Sequence, residues 1–564
     1  MTSSDRHDVI IVGLGPTGLA LATLLGRRGL EVLVLEREPA FYGMARAVYT
    51  DDETLRVFQT AGVADELHAD MNVGSAVQWR RANGTVLAQF REPRRPVWWP
   101  ISNFFYQPFL ENKLEELLKS YPNVHIRRGR ELTNFDQSST GVTVQHAPSN
   151  GSGYGAQEEK PRTHDAETAT AEYLVGADGG RSVVRMSQGI DMTGKSFPER
   201  WLVVDLESKD DVSAFAHLPY FDFICDPAMP VVSCPQPARR HRFEFSLSDG
   251  DSKDEFESDE VVNRLLSKYV NTDEVIVTRR LVYTFNAVIA DRWRAGRVLL
   301  AGDAAHMSPQ FVGQGMNAGI RDADNLSWKL HAVLRQGASP ALLDTYETER
   351  RPHVKAMIDF SVFNKSLVSI KNPVAAQLRD MAIMVMLHTP GVGAWIRRAG
   401  PKPKPRFRRG AYLGMKRSFR GAQGTLSPQP EVRTPDGRYL RLDDALGDGW
   451  AVIGYGIDPR AVRGLRTATW DRVGAKYVAL YPFGARPNGR PGNSRTGGDL
   501  IDVEDTSGSM SKWLRRHGAK PGDVLVLRPD KYVFGLSGNG VLLTNELTRQ
   551  MSLDLITTKP ENNR

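Results

Sequence analysis

At 564 residues the chain is too long for one ordinary hydrophobic core, and 41% hydrophobic with 25% charged residues is the balance of a folded protein of two or three domains rather than a disordered one. The net charge of +7 comes largely from a basic stretch between Arg397 and Arg420, not from an aromatic-rich face, which argues against nucleic acid as a partner. Two cysteines, Cys225 and Cys234, with no histidine pair at ligand spacing argue against a disulfide framework and a structural zinc, and no apolar run reaches the roughly 18 residues of a membrane span, so a soluble cytoplasmic protein is expected.

The first elements carry the clearest signal. His7 to Val12 reads as a buried strand, Leu19 to Gly29 as a helix and Glu31 to Leu35 as a second parallel strand. Between strand and helix lie Gly13-Leu14-Gly15-Pro16-Thr17-Gly18. Gly13 permits the tight turn, Gly15 lets backbone approach a pyrophosphate, and Gly18 lets helix and strand pack closely. The helix start, with Pro16 and Thr17, offers oriented N–H donors to an anion. Glu36, followed by Arg37, ends the second strand, where an acid can accept both ribose hydroxyls.

Asp51 to Asp70 has helical spacing, and Val77 to Phe90 reads as a hairpin centred on Ala82-Asn83-Gly84. A helix from Phe109 to Tyr121 precedes strands at Val124–Arg127 and Val142–Gln145, and a polar, exposed loop is expected from Pro148 to Glu172. Gly176-Ala177-Asp178-Gly179-Gly180-Arg181-Ser182 is the second glycine-acid segment. Trp201–Asp205, Phe221–Cys225, His241–Ser246 and Glu274–Phe285 then have the aromatic, β-rich character of a substrate-binding sheet. A buried strand at Arg297–Ala301 ends in the third segment, Gly302-Asp303-Ala304-Ala305-His306. Helices from about Gly315 and from Ala341 to Met357 follow, then the stiff basic connector opened by Pro401-Lys402-Pro403-Lys404-Pro405-Arg406. Short strands at Trp450–Ile453, Tyr477–Leu480 and Val524–Leu527 predict a small C-terminal α/β domain, and with no cysteine after Cys234 it has no dithiol chemistry. Three glycine-acid segments in this order predict a flavin cofactor.

With Asp303 in place, the chain resembles the single-component FAD-dependent aromatic hydroxylases of the para-hydroxybenzoate hydroxylase type, and most of all the branch that acts on 3-(3-hydroxyphenyl)propionate. The likeness extends over nearly the whole length. It rests on Asp52-Glu53-Thr54-Leu55-Arg56, Tyr106-Gln107-Pro108, Arg242-Phe243-Glu244-Phe245, Gly313-Gln314-Gly315-Met316-Asn317 and Asp344-Thr345-Tyr346-Glu347-Thr348-Glu349-Arg350-Arg351-Pro352.

The resemblance implies an α/β fold in which a Rossmann-like FAD-binding domain (1–75, 101–190 and 291–400) is interleaved with a β-sheet substrate domain (76–100 and 191–290). A basic linker (401–425) and a thioredoxin-like domain without cysteines (426–564) would follow. It further implies that Arg46 and Gln107 contact FAD between its phosphates and flavin, that Asp178 serves FAD and the visiting nicotinamide, and that Asp303, beside Gly302, binds the ribityl chain. Gly313, Gly315, Met316 and Asn317 would lie against the pyrimidine edge. NADH or NADPH and O2 would be cosubstrates, and a C4a-hydroperoxide on the flavin would transfer oxygen ortho to a phenolic hydroxyl. Tyr283 and His306 are the candidates for raising phenolate character. Arg242, with Arg239 and Arg240, is the candidate for binding an acidic side chain, and Phe223 and Phe311 for shaping the pocket. Phe285 stands where a His is expected. A hydroxylase of resorcinols or polyketide phenols is the main alternative; a flavin halogenase, a non-catalytic flavin-binding module and a homodimer also remain open.

Overall fold

The computed structural model describes residues 6–551 except 42, 44, 45, 92, 94, 152–164, 211, 212, 248–255, 399, 415–420 and 488–499. Most of the expected Pro148–Glu172 loop and the end of the Arg397–Arg420 basic stretch lie outside the described residues. The described residues group into two compact units, one drawn from Met1–Arg95, Trp99–Ala323 and Val354–Lys404, the other from Pro96–Trp98, Asp324–His353 and Pro405–Arg564.

In the first unit, five parallel strands run in the order Val298–Leu300, Glu167–Gly176, Arg6–Val12, Val32–Glu36, Val124–Arg128. The register pairs Val12 with both Gly176 and Leu35, and Gly176 with Leu300. Three strands far apart in sequence therefore end level with one another, which brings the three glycine-acid segments to one carboxyl edge. The buried apolar stretches 9–12, 173–175 and Val298–Leu300 at those ends are what a sheet covered on both faces demands.

The second sheet of this unit is ordered His306–Met307, Val275–Ala290, Met192–Ser208, Arg240–Ser246, Val231–Pro235, Phe221–Ile224, Val77–Arg80, Val86–Phe90. Period-2 alternation divides its residues. Leu202, Val204, Phe243, Phe245 and Val282 pack with the helix Asp259–Leu266 on one face, while Trp79, Trp201, Phe223, Phe285 and Phe311 form a separate cluster on the other. The strand Val231–Pro235 is absent from the sequence expectations: fully buried and ended by a proline, it shows no alternation to detect. The helix expected across Asp51–Asp70 is two, Asp52–Ala61 and Ala64–Ala69, because Gly62 adopts φ +95° and ends the first.

The second unit is built on a seven-stranded mixed sheet, ordered Tyr439–Arg441, Glu431–Arg433, Leu500–Asp505, Lys476–Pro482, Ala451–Tyr455, Val524–Leu527, Val533–Ser537. Apolar clusters cover both its faces. A closed ionic group lies inside this unit. The Glu349 carboxylate accepts from Arg528 (2.7 and 2.9 Å), Lys329 (2.8 Å), Asn325 (2.7 Å) and the Ala411 N–H (2.7 Å), and Arg528 also binds Asp530. Among the described residues, no helix is long and apolar enough to cross a membrane.

Candidate functional site

One continuous cavity of about 900 Å³ in the first unit joins the carboxyl edge of the parallel sheet to the aromatic face of the second sheet. At its first end, Gly13 has φ +98°, and a Cβ placed there would lie 2.5 Å from the Ala177 carbonyl oxygen. One at Gly18 would lie 2.0 Å from the Gly13 carbonyl oxygen, whereas one at Gly15 would meet nothing within 4 Å. Gly13 and Gly18 are thus required by packing, and Gly15 keeps open space against the cavity. Gly15 caps the helix Pro16–Arg27 without a side-chain hydrogen bond, so its first N–H groups are available to a ligand. Thr17 fills the place a Cβ would take at Gly302, which has φ +61° and lies beneath the cavity surface.

Glu36 already accepts the N–H groups of Leu14 (2.6 Å) and Glu38 (2.9 Å), one on each oxygen. A carboxylate oxygen accepts more than one hydrogen bond, so ribose hydroxyls remain within its capacity. Arg37 lines the same end. Asp178 accepts the Val184 N–H (3.2 Å) through Oδ2, while Oδ1 is buried without a partner and burial pushes its carboxyl up. Such an orphaned acceptor in the wall fits a hydroxyl-bearing ligand. Asp303 also lines the cavity, its acidity weakened by burial although His306 and Arg46 act in the opposite sense. The free N–H groups at the helix start, the acids Glu36 and Asp178 and a slot continuing to Gly313, Gly315 and Met316 together fit FAD.

Three of the expected site residues have side chains bonded to the scaffold, and of these Gln107 still lines the cavity. The Gln107 side-chain oxygen accepts the N–H groups of Arg46 (2.8 Å) and Ala47 (2.6 Å), and its nitrogen donates to Glu111 (2.8 Å). Gln107 thus shapes the backbone that presents Arg46. Asn317 is fully buried away from the cavity, bonded to Thr50 (2.9 Å) and to the Tyr49 and Gly313 carbonyls (3.2 and 2.5 Å). It fixes the turn at Gly313. His306 is fully buried as well: its Nε2 pairs with Asp322 (2.6 Å), whose carboxylate also takes the Gly302 N–H (3.2 Å). It braces the Asp303 turn from behind and does not line the cavity.

At the other end, Phe223, Phe285 and Phe311 line an apolar chamber backed by Trp201, whose ring meets Phe311 edge-on at 5.1 Å. Phe285, where a His is expected, is part of this wall. Polar groups enter from the sheet. The register places Arg279 opposite Asp205, Leu281 opposite Val203 and Tyr283 opposite Trp201; Asp205 and Val203 in turn face Arg242 and Glu244.

Arg242 binds Asp205 with two bonds (2.6 and 3.0 Å) and the Arg46 carbonyl with a third (2.5 Å), so its hydrogen-bonding capacity serves the scaffold. Arg239 and Arg240 do not line the cavity; Arg240 stacks on Tyr106. The Tyr283 hydroxyl donates to Gln310, and burial together with the Glu244 charge pushes its pKa well up. Glu244, Arg279 and Gln310 line the chamber, and the sequence reading did not single them out. The Arg242-Phe243-Glu244-Phe245 alternation was the available signal for Glu244: two phenylalanines face one core, which turns both charges toward the other side. Lys402, from the expected linker, also lines the cavity and donates to Asp51 (2.9 Å).

Comparison with known proteins agrees with this geometry. Residues 6–361 match the family described as FAD binding domain, and residues 424–550 the HcaD C-terminal domain. The chain is 36% identical to 3-(3-hydroxy-phenyl)propionate/3-hydroxycinnamic acid hydroxylase 2 of Burkholderia vietnamiensis over 94% of this chain and 93% of that one. It is also 36% identical to a 3-(3-hydroxy-phenyl)propionate/3-hydroxycinnamic acid hydroxylase of Mycolicibacterium smegmatis, over 95% and 91%. In fold it is similar to the flavin-dependent monooxygenase PieE in complex with FAD and substrate, with TM-score 0.78, 22% identity and coverage of 98% and 100%.

Proposed function

The chain belongs to the FAD-dependent aromatic hydroxylases, and from that premise we propose that it hydroxylates 3-(3-hydroxyphenyl)propionate or a close analogue, ortho to the ring hydroxyl, using NADH or NADPH and O2. The observation that carries this reading is the single cavity in which a dinucleotide cradle opens into an aromatic chamber with a polar floor. Bound in the cradle, FAD would supply hydride acceptance and oxygen activation.

The chain's own residues do the rest. Gly13 to Thr17, Glu36, Arg37, Arg46, Asp178 and Asp303 would hold the cofactor, and the helix start at Gly313–Met316 would turn its positive end toward the flavin edge. Phe223, Phe285 and Phe311 would exclude water and hold the ring flat. Tyr283 and Gln310 would orient the substrate hydroxyl. We read the second unit, whose residues 424–550 match the HcaD C-terminal domain, as a thioredoxin-like scaffold, and since no cysteine follows Cys234 it would hold no dithiol centre.

The test is NADH oxidation by the purified yellow protein with and without 3-(3-hydroxyphenyl)propionate, with catechol and hydrogen peroxide quantified together. Stimulated oxidation with stoichiometric catechol is expected; the absence of stimulation by this and by bulkier phenols, with either nicotinamide nucleotide, would refute the reading. Tyr283→Phe is expected to lower catechol formation about tenfold, the worth of one hydrogen bond of 1–1.5 kcal/mol, and to leave the KM for NADH unchanged. A coupled rate equal to that of the unaltered enzyme would remove Tyr283 from substrate orientation.

A further inference from the structure

On the reading that the substrate is a phenol, we propose that Glu244 is the group that accepts the proton of the substrate hydroxyl. The phenolic O–H bond breaks, its electron pair remains on the ring oxygen, and the proton forms a new O–H bond on the Glu244 carboxylate.

Among the described residues lining the cavity, Glu244 is the only carboxylate contributed by the second sheet; the other acids lie toward the dinucleotide cradle. It stands between Val203 and Val232 on the neighbouring strands, nearly buried yet facing the chamber, and no hydrogen bond to a described residue occupies it. A buried carboxylate left without a donor is costly unless something else supplies one. A phenol in the aromatic chamber brings an O–H to that place.

The other groups facing Glu244 are unsuited to take the proton. Tyr283 donates its O–H to Gln310 and is far too weak an acid to be ionised. The Cys234 thiol, on the neighbouring strand, is likewise pushed well up by burial and by Glu244. Asp205 is held by Arg242 and by Arg279 at 3.7 Å. These two cations serve the reaction in another way, because positive charge beside the floor favours the phenolate that forms. Burial, reinforced by Asp205 and opposed by Arg242 and Arg279, brings the Glu244 carboxyl to about 7. A base with this value is ionised in mildly alkaline solution yet strong enough to share a phenolic proton, the match that general-base catalysis favours.

The test uses the FAD-loaded protein, without nicotinamide for the spectra and with NADH for turnover, and the probe is 3-(3-hydroxyphenyl)propionate. Ionisation of the bound phenol is followed by its ultraviolet difference spectrum as pH is raised, and kcat/KM for catechol formation is measured over the same range. In the unaltered enzyme kcat/KM is expected to rise with a midpoint near 7, as Glu244 becomes ionised, and the phenolate band to appear at a lower pH than for the free phenol. In Glu244→Gln, with FAD content and melting temperature as controls on folding, the band should be absent at that pH and kcat/KM lower by about 100-fold or more.

A Gln variant that keeps both midpoint and rate overturns the assignment while leaving the hydroxylase reading intact. An unaltered enzyme giving neither band nor catechol overturns both. Should the Gln variant fail to hold FAD, Glu244→Asp replaces it. A carboxylate withdrawn by one methylene should keep the band but shift its midpoint and slow hydroxylation, and an unmoved midpoint and rate would overturn the proposal.

Discussion

Gly13→Ala is expected to purify without its yellow colour, with FAD affinity reduced at least about 100-fold, or roughly 2.7 kcal/mol. Two costs combine. Gly13 holds φ +98°, a conformation that costs an L-residue on the order of 1–3 kcal/mol. An added Cβ would also stand 2.5 Å from the Ala177 carbonyl oxygen and 2.9 Å from the Asp178 Cα, both backbone atoms that have no rotamer by which to yield. The Gly13 N–H is tied to the Leu35 carbonyl (2.8 Å) and the Ala177 N–H to the Val12 carbonyl (2.8 Å), so relief requires parting strands of the parallel sheet. The displaced segment carries Asp178, and two contact regions for the cofactor move together.

Gly15→Ala supplies the contrast. Nothing lies within 4 Å of a Cβ there, so the melting temperature should be unchanged while FAD affinity falls, because the methyl takes the space a phosphate would occupy. Absorbance per mole of protein, a fluorescence titration with FAD and a thermal melt separate the two cases. A Gly13→Ala protein that retains full FAD would refute the cradle as described.

The dinucleotide cradle was legible in the sequence because its determinants are local: a strand, a turn and a helix whose glycines must satisfy constraints within a few residues of one another. The floor of the chamber was not. Glu244 and Arg279 lie on different strands, separated by the strand Met192–Ser208, and only the pairings of Val203 with both Leu281 and Glu244 place their neighbourhoods side by side. Lys402 looked like part of a basic linker because its partner, Asp51, lies 351 residues away. Conversely, His306 and Asn317 are close in sequence to residues lining the site, yet their side chains are committed to the scaffold, and Gln107 lines the cavity with its amide already bonded to backbone and to Glu111. Proximity in a motif identifies the neighbourhood of a ligand, while hydrogen-bond accounting decides which residue has an atom left to offer.

The same accounting explains the motif Asp344 to Pro352, which offers nothing to the cavity. Its Glu349 is the centre of a buried charge group, and Glu349→Gln is expected to destabilise the second unit by about 3–5 kcal/mol. The carboxylate takes five donors: two from Arg528, one each from Lys329 and Asn325, and the Ala411 N–H. An amide offers one oxygen and turns an NH2 toward groups that can only donate. Electrostatics adds to the loss. Glu349 and Asp530 balance Lys329 and Arg528 at essentially no exposure, and the variant leaves one positive charge in excess where water cannot reach it.

The dependence on pH provides an independent check. Burial alone would raise the Glu349 carboxyl, but Arg528 and Lys329 overcome it and hold the group at about 2, below its ordinary value of 4.5. Protons therefore bind the unfolded chain more readily than the folded one across that interval. The stabilisation is complete above about 4.5 and disappears as the pH falls toward 2. Melting curves collected between these limits should converge for the unaltered and Gln chains at the acid end and diverge toward neutrality. Parallel curves with a constant offset would mean that packing, rather than the ionised carboxylate, sets the cost.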